Sequence, residues 1–373
     1  MTATKVLHVL DSFSFGGAEQ LVASLGAQPS PDLVVRAASL APEGLGRDAM
    51  LPRLEAAGLR PVHLGVRRLL DAPGLSRLVG QLRKSGTDVV HAHLGYAATV
   101  VPLAARLAGI PCVATLHHVP EDLPRGEWLK ERMSVRVPTR LGRLVFVSQF
   151  AQDEFARRHG PAQDSWRVIH NAVDLDRFRP PEHRTERPPT WLALAALRAP
   201  KGHDDLLHAW ARVVSSHPQA HLLVAGDGPQ ADHLRELVAR LGLRDRVELL
   251  GAREDVPELL RQVDGVVSAS HTEALPTALI EAAASGLPVV ATDVGGTGEV
   301  VSDGVTGRLV PANDPDRLAA ALTDLVDDPD SRARMGDAAR SRALDHFGMT
   351  RWVDQLTDLY TEVLGTRSKE RTP

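Results

Sequence analysis

At 373 residues the chain is long enough for two domains, each able to bury its own core. A hydrophobic content of 43% and a charged content of 24% are typical of a globular protein, and no uncharged apolar run reaches the ~18 residues of a membrane-spanning helix. The net charge of −4 gives no reason to expect a nucleic-acid partner, and the single cysteine, Cys112, excludes an internal disulfide framework or a cysteine metal cluster.

The first half of the chain alternates strand patterns with helical patterns. It begins at Lys5–Leu10 without a signal-peptide pattern, so a cytoplasmic location is expected. Helical patterns such as Leu75–Lys84 and Ala97–Leu107 separate the strands, which predicts a parallel sheet with ligands beyond the C-terminal strand ends. The further strands predicted in this half are Leu33–Leu40, Pro61–Leu64, Asp88–Ala92, Pro111–Thr115, Leu144–Val147 and Arg167–Ile169.

Several residues that follow these strands are candidates for ligand contact. Gly16 and Gly17 open a helix and let backbone N–H groups approach a ligand, although a tight turn alone would also use them. His91 and His93 are expected on opposite sides of their strand, so they make a poor metal pair and no metal site is predicted. His117 ends its strand, where it either binds a hydroxyl or phosphate or serves in packing. The apolar neighbours of Cys112 favour a buried structural thiol.

A basic stretch in the first half suggests a surface for an anionic partner. Residues 1–180 carry 22 Lys/Arg and 17 Asp/Glu, a net +5, whereas residues 181–373 carry 21 and 30, a net −9. Six basic residues within Arg125–Arg143 are interleaved with Trp128, Leu129, Met133 and Val137. The stretch is either a solvated helix with one packed face or an amphipathic segment at the inner face of the plasma membrane.

The second half repeats the alternation after a polar, proline-rich stretch at residues 174–189, which places the domain boundary near 180–190. The predicted domains are therefore 1–180 and 181–345, followed by a C-terminal helix and tail at 346–373. Helical spacing of apolar residues over Asp345–Leu364 supports that last helix. The strands predicted in the second half are Trp191–Ala196, His221–Ala225, Val247–Leu250, Gly265–Ala269, Pro288–Thr292 and Gly307–Val310.

Cationic residues follow the first strand of the second half. Arg198 and Lys201 can clamp a diphosphate, each charged hydrogen bond being worth ~1.5–3 kcal/mol. Gly226-Asp-Gly-Pro is a turn rather than a phosphate loop, because Gly-x-x-x-x-Gly-Lys-Ser/Thr is absent. The backbone of the loop around Arg253 can read the edge of a base.

Two carboxylates, Glu273 and Glu281, lie eight residues apart around a predicted helix start. Pro276 suits the first turn, and Gly286 suits a left-handed C-cap, so the helix is expected from about Pro276 to Ser285. The free N–H groups of its first turn make an anion site beside Glu273. Taken alone, the two carboxylates also suit a general acid and base.

These motifs, in this order, resemble those of the retaining glycosyltransferases of family four, also described as glycosyl transferases group 1. The resemblance covers nearly the whole chain and implies the α/β GT-B fold, with two facing Rossmann-like domains, parallel sheets and a C-terminal helix that crosses back to the first domain. The motifs are Gly16-Gly17-Ala-Glu19, Asp88-Val-Val-His91-Ala-His93, Thr115-Leu-His117, Val147-Ser148, Val168-Ile-His-Asn171-Ala-Val-Asp174, Arg198-x-x-Lys201-Gly202, Gly226-Asp-Gly-Pro, Glu273-x7-Glu281 and Gly295-Gly296-x-x-Glu299.

The resemblance also implies roles for single residues. Arg198 and Lys201 would neutralise the donor diphosphate, and Glu281 would accept the ribose hydroxyls. Glu273 would lie beside the donor sugar, and His117 would bind a sugar hydroxyl near the anomeric carbon. The catalytic set is thus His117, Arg198, Lys201 and Glu273. The donor-binding set is Gly16, Gly17, Arg198, Lys201, Arg253, Glu273, Ala274, Leu275, Pro276, Thr277 and Glu281.

The reaction implied is transfer of a hexosyl group from a nucleoside-diphosphate sugar, UDP-sugar being favoured, to a hydroxyl acceptor with retention of configuration. It would need neither metal nor cofactor. Pro276 departs from the family's usual Glu-Gly-Phe-Gly and removes one N–H donor. The acceptor is either a membrane-associated glycan or lipid or a small soluble metabolite. The alternative functions are a nucleotide-sugar 2-epimerase on the same fold and a catalytically silent binding protein.

Overall fold

The computed structural model describes residues 3–28, 30–45, 47–66, 71–120, 123–182 and 187–370, without the side chains of 366–370. The chain forms two compact units, one of residues 1–171 with 349–373 and the other of residues 172–348. The polar stretch that suggested a boundary near 180–190 lies partly outside the described residues, at 183–186. The second unit begins earlier because the Val173 N–H donates to the Phe347 carbonyl (2.9 Å) and Arg340 donates to the Phe178 carbonyl (2.9 Å).

The first unit contains a seven-stranded sheet in the order β3-β2-β1-β4-β5-β6-β7, with every pairing parallel. This order confirms the parallel α/β prediction. The strands are β1 (Thr4–Leu10), β2 (Leu33–Ser39), β3 (Val62–His63), β4 (Val89–His93), β5 (Cys112–Leu116), β6 (Arg143–Phe146) and β7 (Trp166–Val168). The helices are α1 (Gly17–Ala27), α2 (Leu51–Ala56), α3 (Ala72–Lys84), α4 (Leu94–Ala108), α5 (Arg125–Leu141) and α6 (Gln149–His159).

The second unit contains a six-stranded parallel sheet in the order β10-β9-β8-β11-β12-β13. Its strands are β8 (Thr190–Leu194), β9 (His221–Ala225), β10 (Val247–Gly251), β11 (Gly265–Ser268), β12 (Val289–Thr292) and β13 (Gly307–Val310). Its helices are α7 (His203–Ser216), α8 (Ala231–Arg240), α9 (Val256–Arg261), α10 (Thr277–Ala284), α11 (Thr297–Val300), α12 (Pro315–Asp327) and α13 (Pro329–His346).

In both sheets the order in which successive strands are added reverses at the centre. The switch point lies between β1 and β4 in the first unit and between β8 and β11 in the second. At such a point the connections leave to opposite sides and open a crevice beyond the strand ends, where ligands of α/β proteins bind. The loops that follow these four strands therefore border the two crevices.

The sequences of the strands are continuous apolar runs because helices cover both faces of each sheet. In the first unit all of β4 and β5 is buried, including Cys112, which confirms its assignment as a buried thiol. In the second unit Trp191 and Trp210 are the largest fully buried side chains.

The last helix, α14 (Met349–Glu370), belongs to the first unit. It begins four residues after the predicted start at Asp345, because α13 extends to His346 before the chain turns. Its buried side chains include Trp352, Leu356 and Tyr360, as the helical spacing predicted. None of the helices among the described residues is long and apolar enough to span a bilayer.

Candidate functional site

In the second unit an ion pair joins the loops that follow β8 and β11. Lys201 Nζ lies 2.6 Å from Glu273 Oε1, and the Ser270 hydroxyl donates to the same oxygen at 2.7 Å. The Lys201 and Glu273 side chains are 28% and 13% exposed, so both can reach a ligand. The structure thus brings together two of the predicted catalytic residues, and Ser270 is a supporting contact that the sequence motifs did not suggest.

The backbone around Lys201 is fixed by close packing between the same two loops. Residues Ala199–Lys201 form a short 3-10 helix that ends at Gly202, whose φ is +63°. A Cβ on Gly202 would lie 1.9 Å from the Ala269 carbonyl oxygen, so only glycine fits there. The His271 N–H also donates to the Pro200 carbonyl at 2.8 Å. Arg198 precedes this turn with an exposed side chain, as a diphosphate ligand requires.

The loop that carries Glu273 is held from its other side by the Gly295-Gly296 pair. Gly295 has φ +58°, and a Cβ there would lie only 1.7 Å from the Glu273 carbonyl oxygen. The Gly296 N–H donates to that same carbonyl at 3.2 Å. These glycines therefore position the backbone of Glu273, which leaves its carboxylate to Lys201 and Ser270.

Helix α10 starts directly after this loop. It runs over Thr277–Ala284, within one residue of the prediction at each end, and Gly286 has the expected positive φ of +69°. Among the described residues no side chain caps its first turn, so its first N–H groups can meet an anion. Ala274 and Leu275 are buried, so any contact they make with a ligand comes from the backbone. Glu281 is half-buried within the helix.

Arg253 stands apart from this group. It follows β10, which is an edge strand, and β9 separates β10 from β8. Its guanidinium donates to Asp255 Oδ1 at 2.8 Å, and this hydrogen bond lowers the pKa of the Asp255 carboxyl. The described contacts of Arg253 are thus with a neighbouring carboxylate, and its predicted role toward a donor base stays a prediction.

In the first unit two carboxylates follow β1: Asp11 in the loop, which the sequence motifs did not include, and Glu19 in α1, which ends the Gly16-Gly17-Ala-Glu19 motif. Asp11 accepts the Ala97 N–H at the start of α4 (2.6 Å), and its burial raises its pKa to about 6. Burial likewise raises the pKa of Glu19 to about 7, with the charge of Asp11 adding to the effect. Gly16 and Gly17 cap and begin α1, and a Cβ on Gly16 would lie 2.5 Å from the Glu19 carboxylate. Gly16 therefore makes room for a buried acid.

The expectation that His91 and His93 lie on opposite sides of their strand is wrong. Their rings stack with centroids 4.3 Å apart, because alternate residues of a strand share one face. His8 joins them from β1, where it is the register partner of His91. All three side chains are buried, with at most 1% of their surface exposed.

His117 is connected to this cluster. His93 Nδ1 lies 3.0 Å from His117 Nε2, and His93 Nε2 lies 2.8 Å from His8 Nδ1. Burial lowers the pKa of both His8 and His117 to about 3. Burial also holds the pKa of His91 and of His93 well below the usual range, so these imidazoles are neutral at physiological pH.

The three histidines His8, His91 and His93 are close enough to one another to share a metal ion. However, each of their six ring nitrogens already faces a hydrogen-bond partner, among them the Tyr360 hydroxyl and the Thr115 hydroxyl. An imidazole nitrogen offers one lone pair or one proton in the ring plane. A metal would therefore have to displace hydrogen bonds, and the arrangement fits a polar network better than a metal centre.

Comparison with known proteins gives matches over both units. The sequence profile described as Glycosyltransferase Family 4 matches residues 15–177, and that of Glycosyl transferases group 1 matches residues 174–342. Glycogen synthase from Mycobacterium tuberculosis is 30% identical over 316 residues, which are 79% of this chain and 74% of that protein. D-inositol 3-phosphate glycosyltransferase from Saccharomonospora viridis is 32% identical over 305 residues, 74% of this chain and 70% of its own length. The structure of Anabaena HepE in complex with UDP-glucose has 25% identity and a TM-score of 0.81, covering 97% of this chain and 99% of its own.

Proposed function

This chain belongs to glycosyltransferase family 4, and from that premise we propose that it transfers a hexosyl group from a UDP-sugar to an acceptor hydroxyl with retention of anomeric configuration. Transferase activity with a nucleotide-sugar donor follows from the family. The choice of UDP is supported by Anabaena HepE, which was solved with UDP-glucose.

The observation that carries this proposal is the Lys201–Glu273 pair beside the first turn of α10, which no side chain of the described part of the chain caps. A donor diphosphate needs cations and N–H groups, whereas a sugar needs a carboxylate that accepts its hydroxyl protons. The cations are Lys201 and Arg198, and the N–H groups are those of the first turn of α10. The carboxylate is that of Glu273. Glu281, within the same helix, is the proposed acceptor of hydrogen bonds from the ribose hydroxyls.

The proposed reaction needs no protein nucleophile. As the bond between the anomeric carbon and the diphosphate lengthens, the sugar becomes oxocarbenium-like and negative charge grows on the leaving phosphate. Arg198, Lys201 and the helix start are preorganised to stabilise that charge. The acceptor hydroxyl then enters on the face that the phosphate leaves, and its proton passes to a leaving phosphate oxygen. His117 of the first unit is the proposed ligand of a sugar hydroxyl.

A panel of nucleotide sugars in a thermal-shift assay tests the donor, because a ligand that binds only the folded state raises the melting temperature. We expect UDP-sugars to give the largest shifts and both Arg198→Ala and Lys201→Ala to abolish them. Arg240→Ala, which removes an exposed arginine on α8, is the matched control and should keep the shifts. Unchanged shifts in both site variants would show that the donor binds elsewhere.

Three further measurements address the chemistry. Product formation in the presence of EDTA tests the proposed independence from metal ions, in which the two cations balance the diphosphate charge. The anomeric configuration of the product, read by NMR, tests retention. Incubation of the donor without any acceptor separates the transferase from a 2-epimerase, because only an epimerase converts the free donor.

For the acceptor, we propose a membrane-associated glycan or lipid reached by peripheral contact through α5. Leu129 and Met133 are 55% and 36% exposed on this helix, and with Arg136 and Arg140 they form one stripe at spacings of four, three and four residues. Glu131 is buried against His159 instead, at 2.8 Å, so one of the two acidic residues of the helix is turned away from that stripe. Exposed apolar side chains beside arginines suit an anionic lipid surface at the inner face of the plasma membrane.

Vesicle co-sedimentation tests this contact. We expect the protein to pellet with anionic vesicles at low salt, to pellet less at high salt, and to lose binding in Leu129→Ser/Met133→Ser. Leu344→Ser, which alters an exposed leucine of the second unit, is the control and should still pellet. Absence of pelleting at low salt would remove the membrane proposal and favour a small soluble acceptor.

A further inference from the structure

A buried chain of hydrogen-bonding groups runs through the first unit and ends at His117. His91 Nε2 lies 2.7 Å from the Thr115 hydroxyl, and His91 Nδ1 lies 2.7 Å from the Tyr360 hydroxyl. The Tyr360 oxygen lies 3.5 Å from His8 Nε2. From His8 the series of hydrogen bonds continues through His93 to His117. We call this the histidine relay; its members are Thr115, His91, Tyr360, His8, His93 and His117.

The two distances at Tyr360 favour one direction of the hydrogen bonds. A phenol has one proton, and it goes to the acceptor at 2.7 Å, because a contact of 3.5 Å is at the limit of hydrogen bonding. His91 Nδ1 therefore accepts from Tyr360, and the proton of His91 sits on Nε2 and is donated to Thr115. The oxygen of Tyr360 still has a lone pair, which can accept from His8 Nε2–H.

The position of the proton on each remaining histidine follows from the rule that a neutral imidazole has one N–H and one bare nitrogen. With its proton on Nε2, His8 must accept at Nδ1 from His93 Nε2–H. His93 must in turn accept at Nδ1 from His117 Nε2–H. His117 Nδ1 is then bare, so it can accept a hydrogen bond from a donor hydroxyl.

We propose that Tyr360 is a positioning residue for the transfer reaction, which acts through His8 and His93 to fix which ring nitrogen of His117 carries the proton. This inference rests on the role of His117 as a sugar ligand given under Proposed function. It assigns a specific task to α14, which brings the Tyr360 hydroxyl to the buried face of β1 and β4.

Tyr360→Phe keeps the ring and removes the acceptor of the His8 proton. A buried N–H without a partner is unfavourable, and moving the proton to Nδ1 in His8, His93 and His117 keeps both histidine–histidine hydrogen bonds. We therefore expect His117 to carry its proton on Nε2 in the wild type and on Nδ1 in Tyr360→Phe. Tyr96→Phe is the matched control, since the Tyr96 hydroxyl is buried without a hydrogen-bond partner in the described part of the chain.

Ring 15N chemical shifts of histidine-labelled protein distinguish protonated from bare nitrogens, with His117→Gln used to assign the resonance. Binding is measured in parallel with UDP-glucose and UDP as probes. Tyr360→Phe should weaken the binding of UDP-glucose about five- to tenfold, the effect of one hydrogen bond, and leave the binding of UDP unchanged, because UDP lacks the glucosyl group whose hydroxyl His117 is proposed to bind. Tyr96→Phe should change neither the tautomer nor either affinity.

A proton on Nδ1 of His117 in the wild type would overturn the proposal, as would an unchanged His117 tautomer in folded Tyr360→Phe. Stoichiometric metal bound at His8, His91 and His93 would also overturn it, because the metal needs the same lone pairs. If Tyr360→Phe does not fold, His8→Gln interrupts the relay at the next member and must shift the His117 resonances. The NMR result does not depend on the sugar role of His117: if no UDP-sugar of the thermal-shift panel binds the wild-type protein, the proposed function fails, whereas the relay is still tested by the tautomer of His117.

Discussion

Substitution of Glu273 by glutamine should strengthen the binding of UDP while weakening sugar transfer. The ammonium of Lys201 is neutralised by Glu273 Oε1 at 2.6 Å. A diphosphate that binds Lys201 must therefore share the cation with a carboxylate. Glu273→Gln keeps a hydrogen-bond acceptor for Lys201 and Ser270 but removes the negative charge, so the cation acts on the phosphate undiminished.

The size of the effect follows from the geometry. A phosphate oxygen bound to the same ammonium at ~2.8 Å would lie roughly 4–5 Å from Glu273 Oε1. Two like charges at ~4 Å repel by ~1 kcal/mol in bulk water and by ~4 kcal/mol at an effective dielectric constant of ~20. Because Lys201 is 28% and Glu273 13% exposed, the lower part of this range applies. About 1–2 kcal/mol corresponds to roughly five- to thirtyfold tighter binding of UDP.

Isothermal titration with UDP at low ionic strength measures this change directly. Glu258→Gln is the control, since it removes the same charge from an exposed pair with Arg261 (2.8 Å) and should leave the affinity unchanged. Salt should reduce the difference between Glu273→Gln and the wild type. Equal or weaker UDP binding by Glu273→Gln would refute the view that Glu273 offsets the charge of Lys201.

Three further predictions concern stability and reactivity. Gly295→Ala should lower the free energy of unfolding in denaturant by more than ~2 kcal/mol, since its Cβ would lie 1.7 Å from a carbonyl oxygen. Gly304→Ala is the control: its φ is +72° but the space around it is open, so the loss should be only about 1 kcal/mol. Equal losses in the two variants would contradict the clash. Burial raises the pKa of Glu19 from 4.5 to about 7, so the protonated side chain stabilises the fold below pH 4.5 and this contribution is lost as the pH rises through 7. Glu19→Gln should therefore reduce the loss of unfolding free energy over this pH range, as measured by denaturant unfolding at a series of pH values. Burial also raises the pKa of the Cys112 thiol well above its usual range, so native protein should react with a thiol reagent far more slowly than unfolded protein.

Much of the fold could be predicted from local patterns. All thirteen strands of the described structure fall on predicted strands, and the helix between Pro276 and Gly286 lies where its proline and glycine placed it. These features depend on the spacing of apolar residues and on single residues that stop a helix, both of which can be read along the chain. The ordered motifs, which the matching family profiles confirm, likewise identified the family.

The pairing of distant side chains could not be predicted in the same way. Lys201 and Glu273 are 72 positions apart, and nothing in either motif indicates that the lysine expected to bind phosphate also pairs with this carboxylate. That contact arises because β8 and β11 are neighbours at the point where the strand order of the sheet reverses. The start of the second unit at Ala172 likewise depends on hydrogen bonds to residues near Phe347.

The sequence by itself determined the order of elements, the two parallel sheets and the strand ends beyond which ligands of such folds bind. Only the tertiary structure decided what those ends contain. His91 and Tyr360 are 269 positions apart, and their 2.7 Å contact exists because α14 belongs to the first unit. The register of β1 against β4 sets His8 beside His91. Periodicity reports which face a residue occupies, whereas the partner it meets depends on which strands and helices become neighbours, and that is settled only when the whole chain has packed.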